Sequence, residues 1–216
     1  MSRRVQLSQA GIAAAAADAA RVIGGGGVIV YPTETLYGIG ADALSAGAVR
    51  RVAEVKRRPD TKPIPVIVQD ADALRRLAAS VPPAAHLLME AFWPGPLTIV
   101  FPALDGLPPP LAAGSGAIGV RIPSSPFCLE LLRAAGVPLT STSANPSGAE
   151  PPRTVAAILE ALGDGVELSV DAGELPPSLP STVVSVTGPR PRLLRAGAVP
   201  ARRIAAVVDL DLELPA

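Results

Sequence analysis

Short apolar runs rich in β-formers alternate with helix-like runs along this chain, and that alternation constrains its fold more than any other feature. Strand-like segments lie at 28–32, 64–68, 97–101, 118–122, 138–142, 166–170 and 182–186. Helix-like segments lie between them, at 8–23, 45–57, 71–79, 84–92, 125–135 and 153–162. A chain of this pattern is expected to fold as α/β, with a twisted open mixed sheet flanked by helices. Pro63 and Pro65 push the second strand toward an edge or a late start, because proline cannot donate to a sheet ladder. The 25 prolines mostly punctuate loops such as "LPPPLAAGSG" and "ELPPSLPS". The sheet pattern resumes after each, so these loops are connections rather than linkers. We expect one domain over residues 1–200 and a short C-terminal tail over 201–216. Composition alone marks 172–180 as the segment to expect mobile.

With 216 residues the chain can bury a substantial core, and 49% hydrophobic content places it among globular proteins. Its formal net charge of zero argues against a general nucleic-acid coat or a membrane-surface protein. Three Phe, two Tyr and one Trp are too few for a stacking platform for single strands. A single cysteine, Cys128, excludes an internal disulfide and a cysteine-rich zinc site. The one histidine, His86, falls in a short helix pattern and reads as structural or solvent-facing. The alanine-rich start carries Ile12, Ala16, Ala19 and Ile23 on one helical face and ends at four glycines, which suits a first helix better than an export signal. No stretch reaches the roughly 18 apolar residues of a membrane span, and a cytoplasmic location is expected.

Unusual polar residues gather where apolar runs end. "VIVYPTETLYGIGADA" leaves its strand into Thr33, Glu34, Thr35 and Tyr37. Neither its "GIG" nor the earlier "GGGG" matches a phosphate loop or a dinucleotide fingerprint. In "VRRVAEVKRRPDTKPIPVIV", Val49, Val52, Ala53 and Lys56 follow the stripe of a buried helix face. A lysine on that stripe must snorkel or meet an anion, although cations complementing a helix C-terminus are the simpler account of Lys56 to Arg58. "VPLTSTSANPSG" runs from a strand into Thr140–Ser143 and Asn145, residues that can shape a turn or let backbone amides approach a phosphate. Arg121 and Arg195 end apolar strands, and Ser181 and Thr182 begin one. Together these groups suit a concave anion site without a metal-ligand cluster.

In this order, "YPTETLYGIGADA", "VKRRPDTKPIPVIV", "FWPGPLTIVF", "IGVRIP", "TSTSANPSG" and "PSTVVSV…RLLRAGA" resemble the segments of the YrdC-like threonylcarbamoyl-adenylate synthases, across roughly residues 8 to 200. The most diagnostic pieces are Lys56-x-Arg58 and Ser143-x-Asn145. The resemblance implies a twisted α/β sheet with a deep basic cavity. It implies an enzyme, a nucleotidyltransferase, that joins L-threonine, bicarbonate and ATP into threonylcarbamoyl-AMP and pyrophosphate. A separate complex would carry that group to tRNA, beside the anticodon. Carried over by position, Lys56 and Arg58 would be catalytic and, with Ser143 and Asn145, would hold the nucleotide phosphates. Thr33 and Tyr37 would line the threonine pocket, Arg121 would meet the threonine carboxylate or a phosphate, and Ser181, Thr182 and Arg195 would close the ATP side. Mg²⁺ is expected with ATP; Glu34 is the nearest acidic candidate, for which a structural ion pair is an equal alternative, and no metal site of the protein's own is expected. Two other readings stand beside this one: a carbamoyl-adenylate-forming domain, and a non-enzymatic RNA-binding module with weak RNA docking.

Overall fold

The structure, a computed structural model, describes residues 2–212 of the chain. Its strands are β1 (Arg3–Gln6), β2 (Ile29–Pro32), β3 (Tyr37–Gly40), β4 (Val66–Ile67), β5 (Leu97–Pro102), β6 (Ala117–Arg121), β7 (Leu139–Thr140), β8 (Thr142–Ser143), β9 (Leu168–Asp171), β10 (Thr182–Ser185) and β11 (Arg192–Arg195). They form two mixed sheets, ordered β1-β9-β2-β3-β8 and β11-β10-β5-β6-β4-β7. The mixed α/β architecture is the one the alternation predicts, with its strands divided between two sheets.

A single stretch joins the sheets. The expected strand 138–142 splits at Ser141, so that Thr140 pairs with Val66 in the larger sheet and Thr142 with Ile39 in the smaller. The Ser141 amide donates to the Pro65 carbonyl at 2.8 Å, which carries the chain across the junction without an unpaired donor. The hydroxyl-rich run that follows is thereby fixed where the sheets meet. β4 starts late, at Val66, as its prolines suggest, yet it lies inside the sheet between β6 and β7.

The opening stretch is a hairpin, β2 against antiparallel β3, with Pro32 opposite Tyr37. Two of the four β3 residues are glycine, which disguises the strand in the sequence. Their purpose is steric. The Tyr31 ring is fully buried against β3, and a Cβ at Gly40 would lie 2.6 Å from Tyr31 Cε1. The Tyr31 hydroxyl then donates to the Thr140 carbonyl at 3.2 Å. "GIG" accommodates an aromatic ring.

Gly11 breaks the first helical run into Leu7–Ala10 and Ile12–Gly24, taking φ 75°, a value that suits glycine. Ala15, Ala16, Ala19 and Ile23 are buried on the second piece, whereas Ile12, the first residue of the expected stripe, is exposed. The small alanines let this helix lie close to helix Pro126–Ala135, and both cover β2 and β9 through Phe127, Leu131, Ile29 and Leu168. The expected 71–79 helix is a 3₁₀ helix over Ala71–Arg76, and the others fall within a few residues of expectation. Residues 201–211 pack onto the rest of the fold. Helix Ala201–Ala205 buries Ile204, Val208 and Leu210 join the same core, and Arg192 bridges Asp211. Residues 213–216 of the expected tail lie outside the described residues.

Candidate anion-binding active site

Both sheets contribute to the walls of one cavity of about 1310 Å³. Of the ten residues singled out from the sequence, eight line it: Thr33, Tyr37, Arg58, Arg121, Ser143, Asn145, Ser181 and Arg195. Lys56 and Thr182 do not.

Lys56 follows Val55, the last residue of helix Ala46–Val55, on the face that buries Val49 and Val52, as the stripe predicts. It is 1% exposed. Its ammonium donates to the carbonyl of Asn145 at 2.6 Å and to that of Ser143, and the Lys56 carbonyl accepts from the Ser147 amide at 2.9 Å. Lys56 is thus a cationic clamp behind the Ser143–Ser147 turn, and the turn lies between it and the cavity. Thr182 is fully buried; its hydroxyl donates to the Val199 carbonyl at 2.7 Å and accepts from the Val199 amide at 2.9 Å. It fastens the entry to the C-terminal helix and stands outside the cavity lining.

The remaining groups face inward with defined supports. Arg58 donates from Nε to the Lys62 carbonyl at 2.9 Å and from Nη2 to Pro63 at 2.5 Å. Arg195 donates from Nη2 to the Ser181 carbonyl at 2.7 Å and to the Ser181 hydroxyl at 3.1 Å, while Thr98 and Ser181 share a hydrogen bond of 2.9 Å. Arg121 forms an ion pair with Glu34, both largely buried, which is the structural role open to Glu34 from the sequence, while Glu34 Oε2 is buried with no hydrogen-bond partner among the described residues. Asn145 donates to the carbonyls of Pro146 and Ala149, and its buried Oδ1 has no hydrogen-bond partner among the described residues.

Thr33 departs from expectation in detail. Its hydroxyl accepts from the amides of Thr35 and Leu36, each at 3.1 Å, and donates to the Leu36 carbonyl at 2.7 Å. That hydroxyl builds the β2–β3 turn, and its capacity for a ligand is spent locally. Thr35, a polar residue of the same turn to which the resemblance assigns no role, lines the cavity beside it. So do Thr98, Ser141, Ser185, Arg153 and Arg192. Thr98 and Ser185 carried a signal, each a lone hydroxyl within an apolar β-run.

Arginines outnumber carboxylates in the lining, with Glu150 the one acidic residue among the described residues there. Burial lowers the proton affinity of Lys56 to a pKa of about 7, and Arg58 nearby adds to the effect. Burial, then the charge of Arg195, lowers Arg58; burial, then Arg121, lowers Arg195. Four cations thus repel in sequence around one cavity, an arrangement whose charge a multivalent anion would balance. His86 is exposed, and Cys128 is buried with its thiol on the Pro32 carbonyl at 3.3 Å; neither lines the cavity. Among the described residues, no group of three or more His, Cys, Asp or Glu could hold a metal ion, and no helix is long and apolar enough to cross a membrane.

Residues 21–197 match the family model of the Sua5, YciO and YrdC proteins, described as "Telomere recombination". A Pyrococcus abyssi protein named threonylcarbamoyl-AMP synthase is 36% identical over 190 residues, covering 88% of this chain and 56% of its own length. A Mycobacterium tuberculosis protein named putative threonylcarbamoyl-AMP synthase is 39% identical over 194 residues, covering 90% of this chain and 89% of its own. The chain therefore spans little more than half of the archaeal relative but nearly all of the mycobacterial one. The crystal structure of P. abyssi Sua5 complexed with L-threonine superposes with a TM-score of 0.86 at 31% identity, over 97% of this chain and 62% of that one. With the family model matching most of the chain and relatives above 30% identical across nearly nine-tenths of it, this chain belongs to the Sua5/YciO/YrdC family.

Proposed function

We propose that the protein is an L-threonylcarbamoyladenylate synthase, a nucleotidyltransferase that uses L-threonine, bicarbonate and ATP. The observation that carries this reading is the set of cations that converge, without carboxylates to neutralise most of them, on a cavity large enough for a nucleotide beside an amino acid. The names of its relatives, and the threonine bound in one of them, support the choice of substrates.

On this reading threonine's neutral amine attacks the carbon of bicarbonate-derived CO₂, and the resulting carbamate oxygen attacks the α-phosphorus of ATP. The bond to the β-phosphate oxygen breaks, so threonine, bicarbonate and ATP become threonylcarbamoyl-AMP, pyrophosphate and water. Charge neutralisation and alignment suffice for such a displacement, which needs no covalent enzyme intermediate. Arg58 and Arg195 oppose the phosphates, Ser143, Asn145 and Ser181 fix their oxygens, and Arg121, braced by Glu34, takes the threonine carboxylate. Thr33 and Tyr37 shape the amino-acid wall. Lys56 acts one layer back, by holding the Ser143–Ser147 turn and adding positive field. Mg²⁺, which would accompany the triphosphate, would be held mainly by phosphate oxygens and water and would supply further charge neutralisation. The product would pass to a separate tRNA-modifying complex in the cytoplasm.

Incubation with the three substrates should yield threonylcarbamoyl-AMP by mass spectrometry and threonine-dependent pyrophosphate. Pyrophosphate release that requires an added carbamoyl donor in place of threonine and bicarbonate would indicate a carbamoyl-adenylate chemistry instead. RNA binding with no release at all would indicate a binding module.

A further inference from the structure

Asp171, the last residue of β9, lines no cavity, is 2% exposed and gathers an unusual number of bonds. β1 runs parallel to β9 with Gln6 opposite Asp171, and Arg4, two residues earlier, projects from the same face. Both side chains reach one oxygen: Asp171 Oδ2 accepts from Arg4 Nε at 2.6 Å, from Arg4 Nη2, and from Gln6 Nε2 at 3.0 Å. The other oxygen, Oδ1, accepts from the Gly173 amide at 2.8 Å and lies 3.4 Å from the Tyr37 hydroxyl. That hydroxyl has one proton, which the Gly173 carbonyl takes at 2.7 Å, and it accepts from the Ala172 amide at 2.9 Å. Asp171 and Tyr37 therefore grip the first two residues of the 172–181 segment from both sides.

The rest of that segment forms cavity wall. Pro177, Ser178, Pro180 and Ser181 line the cavity, and the Ser178 hydroxyl donates to the Thr35 carbonyl. Composition marks 172–180 as mobile, yet three hydrogen bonds hold its root: the Ala172 and Gly173 amides and the Gly173 carbonyl are each engaged. The N-terminal strand supplies the charge that holds the root carboxylate, although nothing in β1 touches the cavity.

We propose that Asp171, clamped by Arg4 and Gln6, is a positioning residue that sets Tyr37 and the root of segment 172–181, and through them the amino-acid side of the cavity. The inference rests on the proposed reaction for its effect on turnover, and on geometry alone for its effect on the segment.

The test uses the full chain as wild type, Asp171→Asn, Arg4→Gln and Arg3→Gln. Arg3 is the control: it sits on the same strand, is more than half exposed, and pairs with Asp18 instead. In threonine-dependent pyrophosphate release, Asp171→Asn and Arg4→Gln should each lower kcat/KM for threonine about tenfold, mainly through KM, with KM for ATP changed less than twofold. Arg3→Gln should change neither. Hydrogen exchange gives a readout independent of substrates: amides 172–175 should exchange at least tenfold faster in Asp171→Asn and Arg4→Gln, with helix Ile12–Gly24 unchanged. Equal losses in Arg3→Gln, or wild-type exchange at 172–175 in both test variants, would overturn the proposal. A wild-type chain that releases no pyrophosphate would sink the reading of function, and exchange would then decide the positioning role alone. Should Asp171→Asn fail to fold, Arg4→Gln carries the test, since the Arg4 side chain is half exposed.

Discussion

Lys56 and Arg58 stand two residues apart and would be grouped by any motif, yet they do different work. The Lys56 ammonium satisfies two backbone carbonyls in a place that water does not reach, so Lys56→Ala leaves buried acceptors unpaired, at a cost of about 1–3 kcal/mol. Arg58 spans carbonyls at the cavity rim, where water can replace it, and Arg58→Ala should cost under about 1 kcal/mol of stability. Denaturant unfolding should therefore separate the two, with the midpoint lowered clearly only in Lys56→Ala. Calorimetric titration with ATP should give the complementary result for Arg58→Ala, a loss of about 1.5–3 kcal/mol from one charge-assisted contact. Equal unfolding midpoints would show that the Ser143–Ser147 turn stands without its clamp. The same division explains Thr33 and Thr182: a hydroxyl at the right place in a motif can be wholly occupied in holding the backbone.

Among elements, the β2–β3 hairpin and the split strand β7–β8 decide where the cavity lies. Gly40 faces the Tyr31 ring, which is buried on its other side by the helices, so neither partner can retreat. A methyl group 2.6 Å from an aromatic carbon forces strand or ring to shift, and Gly40→Ala should destabilise by about 1–3 kcal/mol. Thermal unfolding measures it. Tyr31→Leu in the same chain should recover part of the loss, because it removes the ring the methyl meets; no recovery would locate the strain elsewhere. This hairpin also shows where the sequence ceased to be informative. Apolar periodicity reported burial, and it placed six of the helical runs and most of the long strands. β3 went unseen because half of it is glycine, and β1 and β11 because their arginines break the apolar pattern. The cavity-lining arginines and hydroxyls were visible because charges at the ends of apolar runs are costly without a purpose. What no single stretch could reveal was which hydroxyls already had partners. For Thr182 and Thr98 that depends on Val199 and Ser181 arriving from elsewhere in the fold.

For the molecule as a whole, the balance of charge is misleading, because neutrality overall coexists with a cavity whose lining holds more arginines than carboxylates. Lys56 titrates near 7 because burial and Arg58 disfavour its charged form, whereas an unfolded lysine titrates near 10.4. Between those values the unfolded chain binds the additional proton, so this group's contribution to stability rises with pH across roughly 7 to 10. A bound polyanion acts in the opposite direction. Negative charge beyond the Ser143–Ser147 turn favours the ammonium and raises its pKa, so binding at pH 8 must take up protons. ATP affinity should accordingly weaken as pH rises from 7 toward 9, and binding heats in buffers of different ionisation enthalpy should reveal an uptake approaching one proton per ATP. Arg58→Ala removes the cation that lowers Lys56, so more of the lysine is already charged in the free protein and the uptake should shrink. Lys56→Met should abolish most of it. Proton release on ATP binding, or an uptake equal in wild type and Lys56→Met, would mean that the buried ammonium does not sense the cavity, and that the cations around it do not act as one site.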